Sequence, residues 1–298
     1  MGRISRLLLV GLLGIASSCA TERPSRTVTV PFRREHGLLF LEIEGPENPP
    51  LLALVDTGAN ASAIDPRRST KLSVVARGEV QGTTGSLDSD VVEVTGLWLG
   101  DLAIRPLRAT RRDLSGLLPL DGRPVDMVLG SDAFAGLTLT FDFRSRDLLV
   151  SNRTPASMPE GVPMLLDEGI PAIPATIGGV QAMLRIDTGA SLFDTDDVYV
   201  NIPSRAWSAL RARDPALAPS THFRGTGANG EAVELPVARV RGAKIGERTL
   251  DSVFVIVQPE AGYFARPDAK GFVGVNFLEK LVRVTLDYGA GRFAAWKT

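Results

Sequence analysis

The apolar positions along the chain fall mostly into short runs with a strand-like rhythm. "VRVTLDY", Val282 to Tyr288, alternates with a period of two, as a half-buried strand does. "LLFLEI", Leu38 to Ile43, is a short apolar run of the kind that forms a buried strand. Turn-forming residues interrupt these runs at roughly ten-residue intervals, the spacing of all-β barrels and sandwiches. A helical pattern is confined to "SRAWSALRARD", which predicts a short helix with Ser204 as N-cap, and more weakly to "SDAFAGL" and "NFLEKL". The pattern therefore predicts an all-β protein with a few short helices.

The pattern also repeats. "GLLFLEIEG" precedes an apolar run into Asp56, and "GIPAIPATIGG" precedes one into Asp187. Both aspartates open the tetrad D-T-G-A. A Gly-rich patch and an alternating stretch follow in each half, "VQGTTGSLDSDVVEV" and "FRGTGANGEAVELPV". Next comes an apolar segment ending on Gly130 or Gly274, and each half closes with a strand, "LTLTFDF" or "VRVTLDY". Gly130 lies 74 residues beyond Asp56, and Gly274 lies 87 beyond Asp187. Much of the extra length in the second half is the predicted helix, an insertion of a tolerated kind. The halves occupy residues 27–153 and 165–298, with a Pro-rich linker over 154–164.

Composition narrows the class. Of 298 residues, 44% are hydrophobic, enough for a packed core and unlike a disordered chain. Lys and Arg number 33 against 34 Asp and Glu, so no clustered basic excess suggests a nucleic-acid partner. Residues 1–20 read as a signal peptide. Arg3 and Arg6 precede an apolar stretch from Leu7 to Ile15, too short for a comfortable membrane span. The stretch ends near Cys19, the only cysteine in the chain. "ASSC" resembles a bacterial lipobox, which implies lipidation of Cys19 and a membrane anchor in the periplasm or cell envelope, although Ala16 stands where Leu is usual. Ordinary cleavage after Ala20 is the alternative. Either way the chain is exported, and the folded part holds no disulfide.

An aspartate at the end of a buried strand needs hydrogen bonds or a partner. Gly58 and Gly189 allow backbone N–H groups to approach the carboxylates, and Thr57 and Thr188 offer hydroxyls to brace the turns. If the two loops meet, two carboxylates come within hydrogen-bond reach and one keeps its proton. One then serves as base toward water while the other protonates a carbonyl. This chemistry cleaves an amide without metal, cofactor or covalent intermediate.

"LVDTGA" with "MVLG", and "RIDTGA" with "FVG", resemble the two halves of the retropepsin-like aspartic proteases, over nearly the whole span from Thr27 to Thr298. The resemblance implies two tandem acid-protease β-barrel lobes related by pseudo-two-fold symmetry. It implies Asp56 and Asp187 as the catalytic dyad, supported by Thr57, Gly58, Thr188 and Gly189. Gly130 and Gly274 would let each closing segment pack on its aspartate loop. Gly82, Gly85, Gly225 and Gly227 would belong to flap hairpins over the cleft. The implied activity is that of an aspartic-type endopeptidase acting on peptides or proteins, as a monomer with lobes paired within one chain. Two readings stay beside it: a non-catalytic pseudoprotease that clamps peptides at the cell envelope, and pairing of lobes between chains.

The sequence departs from both branches of the family. Ala59 and Ala190 stand where pepsin-like enzymes place a hydroxyl that stabilises the ionised dyad, so a working pH nearer neutral than pepsin's is expected. The retroviral Asp–Arg pair is replaced in each half, by Asn60 with Ser131 and by Ser191 with Val275, which strands no charge. The pepsin flap tyrosine has no evident counterpart.

Other motifs read more plainly. "GTGANG", Gly225 to Gly230, fits a dinucleotide fingerprint literally, but the strand-like "EAVELPVARV" follows it, and Asn229-Gly230 is a hairpin turn. His36 and His222 lack the companions for a transition-metal site. Asp142 and Asp287 are expected to cap turns. "RATRRD", Arg108 to Asp113, reads as a solvated loop, and the three tryptophans as core or edge residues.

Overall fold

The computed structural model describes residues 26–45, 49–81, 86–192, 195–226 and 232–296. The protein is all-β, with three short helices among the described residues: Ser131–Phe134, Ser204–Arg213 and Val275–Glu279. Two eight-stranded sheets carry the repeat. The first runs, edge to edge, through Arg33–Glu35, Leu38–Ile43, Leu51–Val55, Met127–Leu129, Ala63–Ile64, Leu107–Arg111, Ser86–Val94 and Val74–Gln81. The second runs in the same order through Leu165–Asp167, Ile170–Ile177, Val180–Ile186, Gly271–Val273, Tyr199–Pro203, Arg248–Gln258, Ala232–Ile245 and Thr221–Thr226.

The sense of pairing agrees as well as the order. In each sheet, the strand that feeds the aspartate lies parallel to the strand that ends before Gly130 or Gly274. That strand lies antiparallel to its other neighbour, which is parallel to the next. In the second sheet a further pairing, Ala175 with Ile245, closes six strands into a ring.

A third sheet of six strands joins the halves. Its central pair is Thr138–Asp142 against Arg283–Asp287, one strand from each repeat. The alternation seen in "VRVTLDY" explains the seam: Val284 and Leu286 bury one face with Leu139 and Phe141. On the other face the buried hydroxyls of Thr140 and Thr285 share a hydrogen bond of 2.8 Å, and Trp296 Nε1 donates to Thr285 Oγ1 at 2.8 Å. Fully burying side chains such as Leu139 or Phe141 contributes about 1.5–3 kcal/mol each, so the joint is a core in its own right.

Local expectations fare variously. Asp142 caps its turn by accepting from Arg144 and Ser145, and Asp287 does the same for Gly289 and Ala290. The helix after Pro203 forms, but Pro203 occupies the N-cap position. Ser204 is its first helical residue and donates instead to the carbonyl of Gln258 at 2.9 Å, tying the helix to a strand end. The segment expected as linker contains a two-residue strand, Val162–Pro163, paired with Arg292 and Phe293. The strand expected after "GTGANG" forms, as Ala232–Ile245.

Candidate active site

Each aspartate sits one residue past the end of a central strand, Leu51–Val55 or Val180–Ile186. All five residues of the first strand are buried, so the chain enters the site from the core. The parallel neighbour extends each ladder by one bond: Asp56 N–H donates to Leu129 O at 2.9 Å, and Asp187 N–H to Val273 O at 3.0 Å. The carboxylates therefore leave the sheet at fixed, matched points.

Thr57 and Thr188, both fully buried, lock the two loops together. Thr57 Oγ1 accepts from Thr188 N–H at 3.1 Å and donates to Ile186 O at 2.7 Å. Thr188 Oγ1 accepts from Thr57 N–H at 3.0 Å and donates to Val55 O at 2.7 Å. Four hydrogen bonds thus cross between segments more than a hundred residues apart in sequence, and they lie directly under the aspartates.

The loops approach so closely that each glycine faces the other loop's carboxylate. A Cβ on Gly58 would overlap the Asp187 carboxyl, and one on Gly189 would overlap that of Asp56. Neither glycine has positive φ, so the requirement is for space, not for a left-handed turn. The closing segments brace the loops from behind. Ser131 N–H donates to Ala59 O at 2.8 Å and Val275 N–H to Ala190 O at 3.0 Å. A side chain on Gly130 or Gly274 would collide with the backbone of Ala61 or Ala190.

Asp56 and Asp187 are hydrogen-bonded to one another in a partly buried site. Asp56 also accepts from the N–H groups of Gly58 and Ala59, both at 3.0 Å, and Asp187 accepts from Gly189 at 3.0 Å. Desolvation raises both carboxyls above the usual carboxylate range. Asp187 is raised further, because it also faces the charge of Asp56 and donates the shared hydrogen bond. That same bond, the two amides and the charge of Arg112 partly offset the rise at Asp56. The pair therefore shares one proton across its two carboxyls.

A cleft of about 620 Å³ opens over the dyad and takes walls from both halves, including Leu54, Arg112 and Val128 on one side and Arg185, Tyr263 and Phe272 on the other. A second cavity of about 640 Å³ extends from Asp187 along the second half, lined by Tyr199, Phe223, Leu235 and Ile256. Both are of the size that holds organic ligands. Hairpin strands reach each: Glu79 lines the first and Gly225 the second. Gly82, Gly85 and Gly227 lie outside the described residues, as do Cys19 and the rest of 1–20.

Several contributors escape a reading by motif. Tyr288, buried, places its hydroxyl 3.3 Å from Ser131 Oγ, which donates to Thr57 O at 2.7 Å. Burial pushes the Tyr288 phenol well up, so it stays neutral. Asn276 accepts from Ser191 and Leu192 and donates to the carbonyls of Leu192 and Thr195. Asp132, at the matched place in the first half, accepts from Ser62 Oγ at 2.7 Å. A polar residue two positions past each closing glycine was the available signal. The expectation for "RATRRD" is corrected. Leu107–Arg111 is a strand, and Arg111 is half-buried against Ser69 and Leu72. Arg112 faces the cleft, because strand alternation turns it opposite to its neighbour.

Residues 41–133 match the family model described as aspartyl protease. The matched span carries Asp56 through Gly130 and stops before the second tetrad. No curated protein matches the chain. The match lies wholly within the first half of the chain, and the second half repeats the strand order of the first around a second D-T-G-A.

Proposed function

We propose that the protein is an aspartic-type endopeptidase whose dyad is Asp56 and Asp187. The observation that carries the reading is the interlocked pair of loops, which holds two hydrogen-bonded carboxyls at the floor of a cleft shared by both halves.

In this reading a water sits between the two carboxyls. Asp56, the anion, takes a proton from the water as its oxygen attacks the peptide carbonyl carbon. Asp187 gives its proton to the carbonyl oxygen, and a tetrahedral diol results. Asp56 then passes its proton to the leaving nitrogen, the C–N bond breaks, and Asp187 recovers a proton from a diol hydroxyl. The dyad returns to its singly protonated state. No side chain forms a covalent bond to substrate.

The flap role of the Val74–Gln81/Ser86–Val94 and Thr221–Thr226/Ala232–Ile245 hairpins belongs to the same proposal. It is supported by Glu79 and Gly225 in the cavity walls. So does the division into lobes at 27–153 and 165–298, supported by the matched strand orders. Export to the envelope with a lipid on Cys19 rests on the pattern of residues 1–20. It predicts that radiolabelled fatty acid is incorporated by the wild type and not by Cys19→Ala.

A peptide-library cleavage assay, with and without a hydroxyethylene mimic of the diol, tests the reading. Cleavage is expected, with complete inhibition at one mimic per chain. No cleavage across the library, or half that stoichiometry, contradicts an active intramolecular dyad.

A further inference from the structure

Arg112 is the charged group of the cleft that the hydrolytic chemistry leaves unused. It shares the cavity wall with Asp56. Its Nε is buried and makes no hydrogen bond, and no acid among the described residues pairs with its guanidinium. The other arginine of this cavity is committed elsewhere. Arg185 is bonded to Asp167 at 2.6 Å and to Glu168 at 3.3 Å, and it stacks on Tyr263 with its guanidinium carbon 4.0 Å from the ring centre. Glu79, exposed on the hairpin strand, lines the same cavity without an ion pair to Arg112.

Arg112 thus has a buried Nε with no acceptor, and its guanidinium is free to receive one from the cleft. Its surroundings define the rest of the ligand. Leu38, Leu54, Leu114, Leu117 and Val128 line the cavity beside it. An aliphatic stem ending in a carboxylate would bury its methylenes on these residues and present two oxygens to the planar fork. An amide in the same place supplies one acceptor and no charge, and an ammonium is repelled.

Resting on the endopeptidase reading, we infer that Arg112 is a specificity-determining residue that selects an acidic side chain, glutamate above all, next to the cleaved bond. Arg112 and Asp56 line one cavity, so a side chain held by the guanidinium lies in the same cleft as the dyad.

The test uses peptides capped at both ends, so that no terminal carboxylate competes. They are identical except for Glu, Gln or Lys at one of the two positions flanking the cleaved bond. For the wild type, kcat/KM for Glu over Gln is expected to be about tenfold or more at one of these positions, with Lys poorest. In Arg112→Gln that ratio falls to near one, and in Arg112→Glu the Lys peptide overtakes the Glu peptide. The wild-type ratios decide the matter even where a variant misfolds. Ratios within twofold at both positions, or a preference for Lys, overturn the inference while the protease reading stands. Failure to cut any peptide, the Gln members included, overturns the protease reading and this inference with it.

Discussion

Thr57 and Thr188 each use one hydroxyl twice across the junction, accepting from the other's amide and donating to the carbonyl two residues before it, Ile186 O for Thr57 and Val55 O for Thr188. The relation is reciprocal, so neither loop holds its shape independently of the other. Loss of either hydroxyl orphans a buried amide and a buried carbonyl together. Thr57→Val and Thr188→Val should each destabilise by about 1–3 kcal/mol in urea unfolding. The double variant should lose less than the sum, because both hydroxyls hold the same junction and loss of either loosens the bonds of the other. Additive losses would show that the hydroxyls act separately.

The dyad carries a stability signature as well. Burial and mutual repulsion raise the folded-state carboxyl of Asp187 above its unfolded value. Its contribution is therefore fully present below the unfolded carboxylate range and is lost as pH rises through the folded value. Asn cannot ionise and suffers no such loss. Asp187→Asn should melt above the wild type at pH 7, and the gap should close below about pH 4. A gap independent of pH would refute the raised carboxyl.

Asp167 shows the opposite sign. Burial alone would raise it, but Lys270 at 2.8 Å and Arg185 at 2.6 Å hold it below the usual range. This contribution is present above the unfolded carboxylate range and is lost as pH falls through the folded value. Arg185→Met should cost about 3 kcal/mol near neutral pH, the lower end for a broken buried pair because Lys270 remains. The deficit should shrink in acid, below about pH 4. A deficit unchanged between pH 7 and pH 3 would assign the loss to packing.

The pH–rate profile reports the shared proton directly. Activity requires the singly protonated pair, which persists to higher pH when Asp187 is raised. Ala59 and Ala190 supply no hydroxyl to favour the doubly ionised form, and their amides are the only local donors they offer. The optimum should therefore lie on the neutral side of pepsin's. A kcat/KM profile peaking below about pH 3 contradicts this.

The repeat was readable because both halves must solve the same problem, a charge at the end of a buried strand. The solution needs Thr for the clasp, Gly for close approach and a second Gly behind. Each of those demands restricts residue type, so Asp56, Asp187 and their neighbours stand out in the bare sequence. Tyr288 does not, because its tie to Ser131 depends on the inter-half seam, where any large polar-tipped residue reads as core. Arg112 is hidden in the sequence as well, since a run of basic residues looks solvated until the strand register is known. The cap expected at Ser204 falls on Pro203 instead, because a sequence pattern does not separate the N-cap from the first helical residue.

Substitution of either member of the dyad bears most directly on the central claim, that Asp56 and Asp187 act as one unit. With one capped peptide and matched, folded proteins, Asp56→Asn and Asp187→Asn should each lower kcat/KM by about 10²–10⁴-fold or more, and the double variant should be little worse than either. Cleavage at the wild-type rate by either single variant would contradict the account.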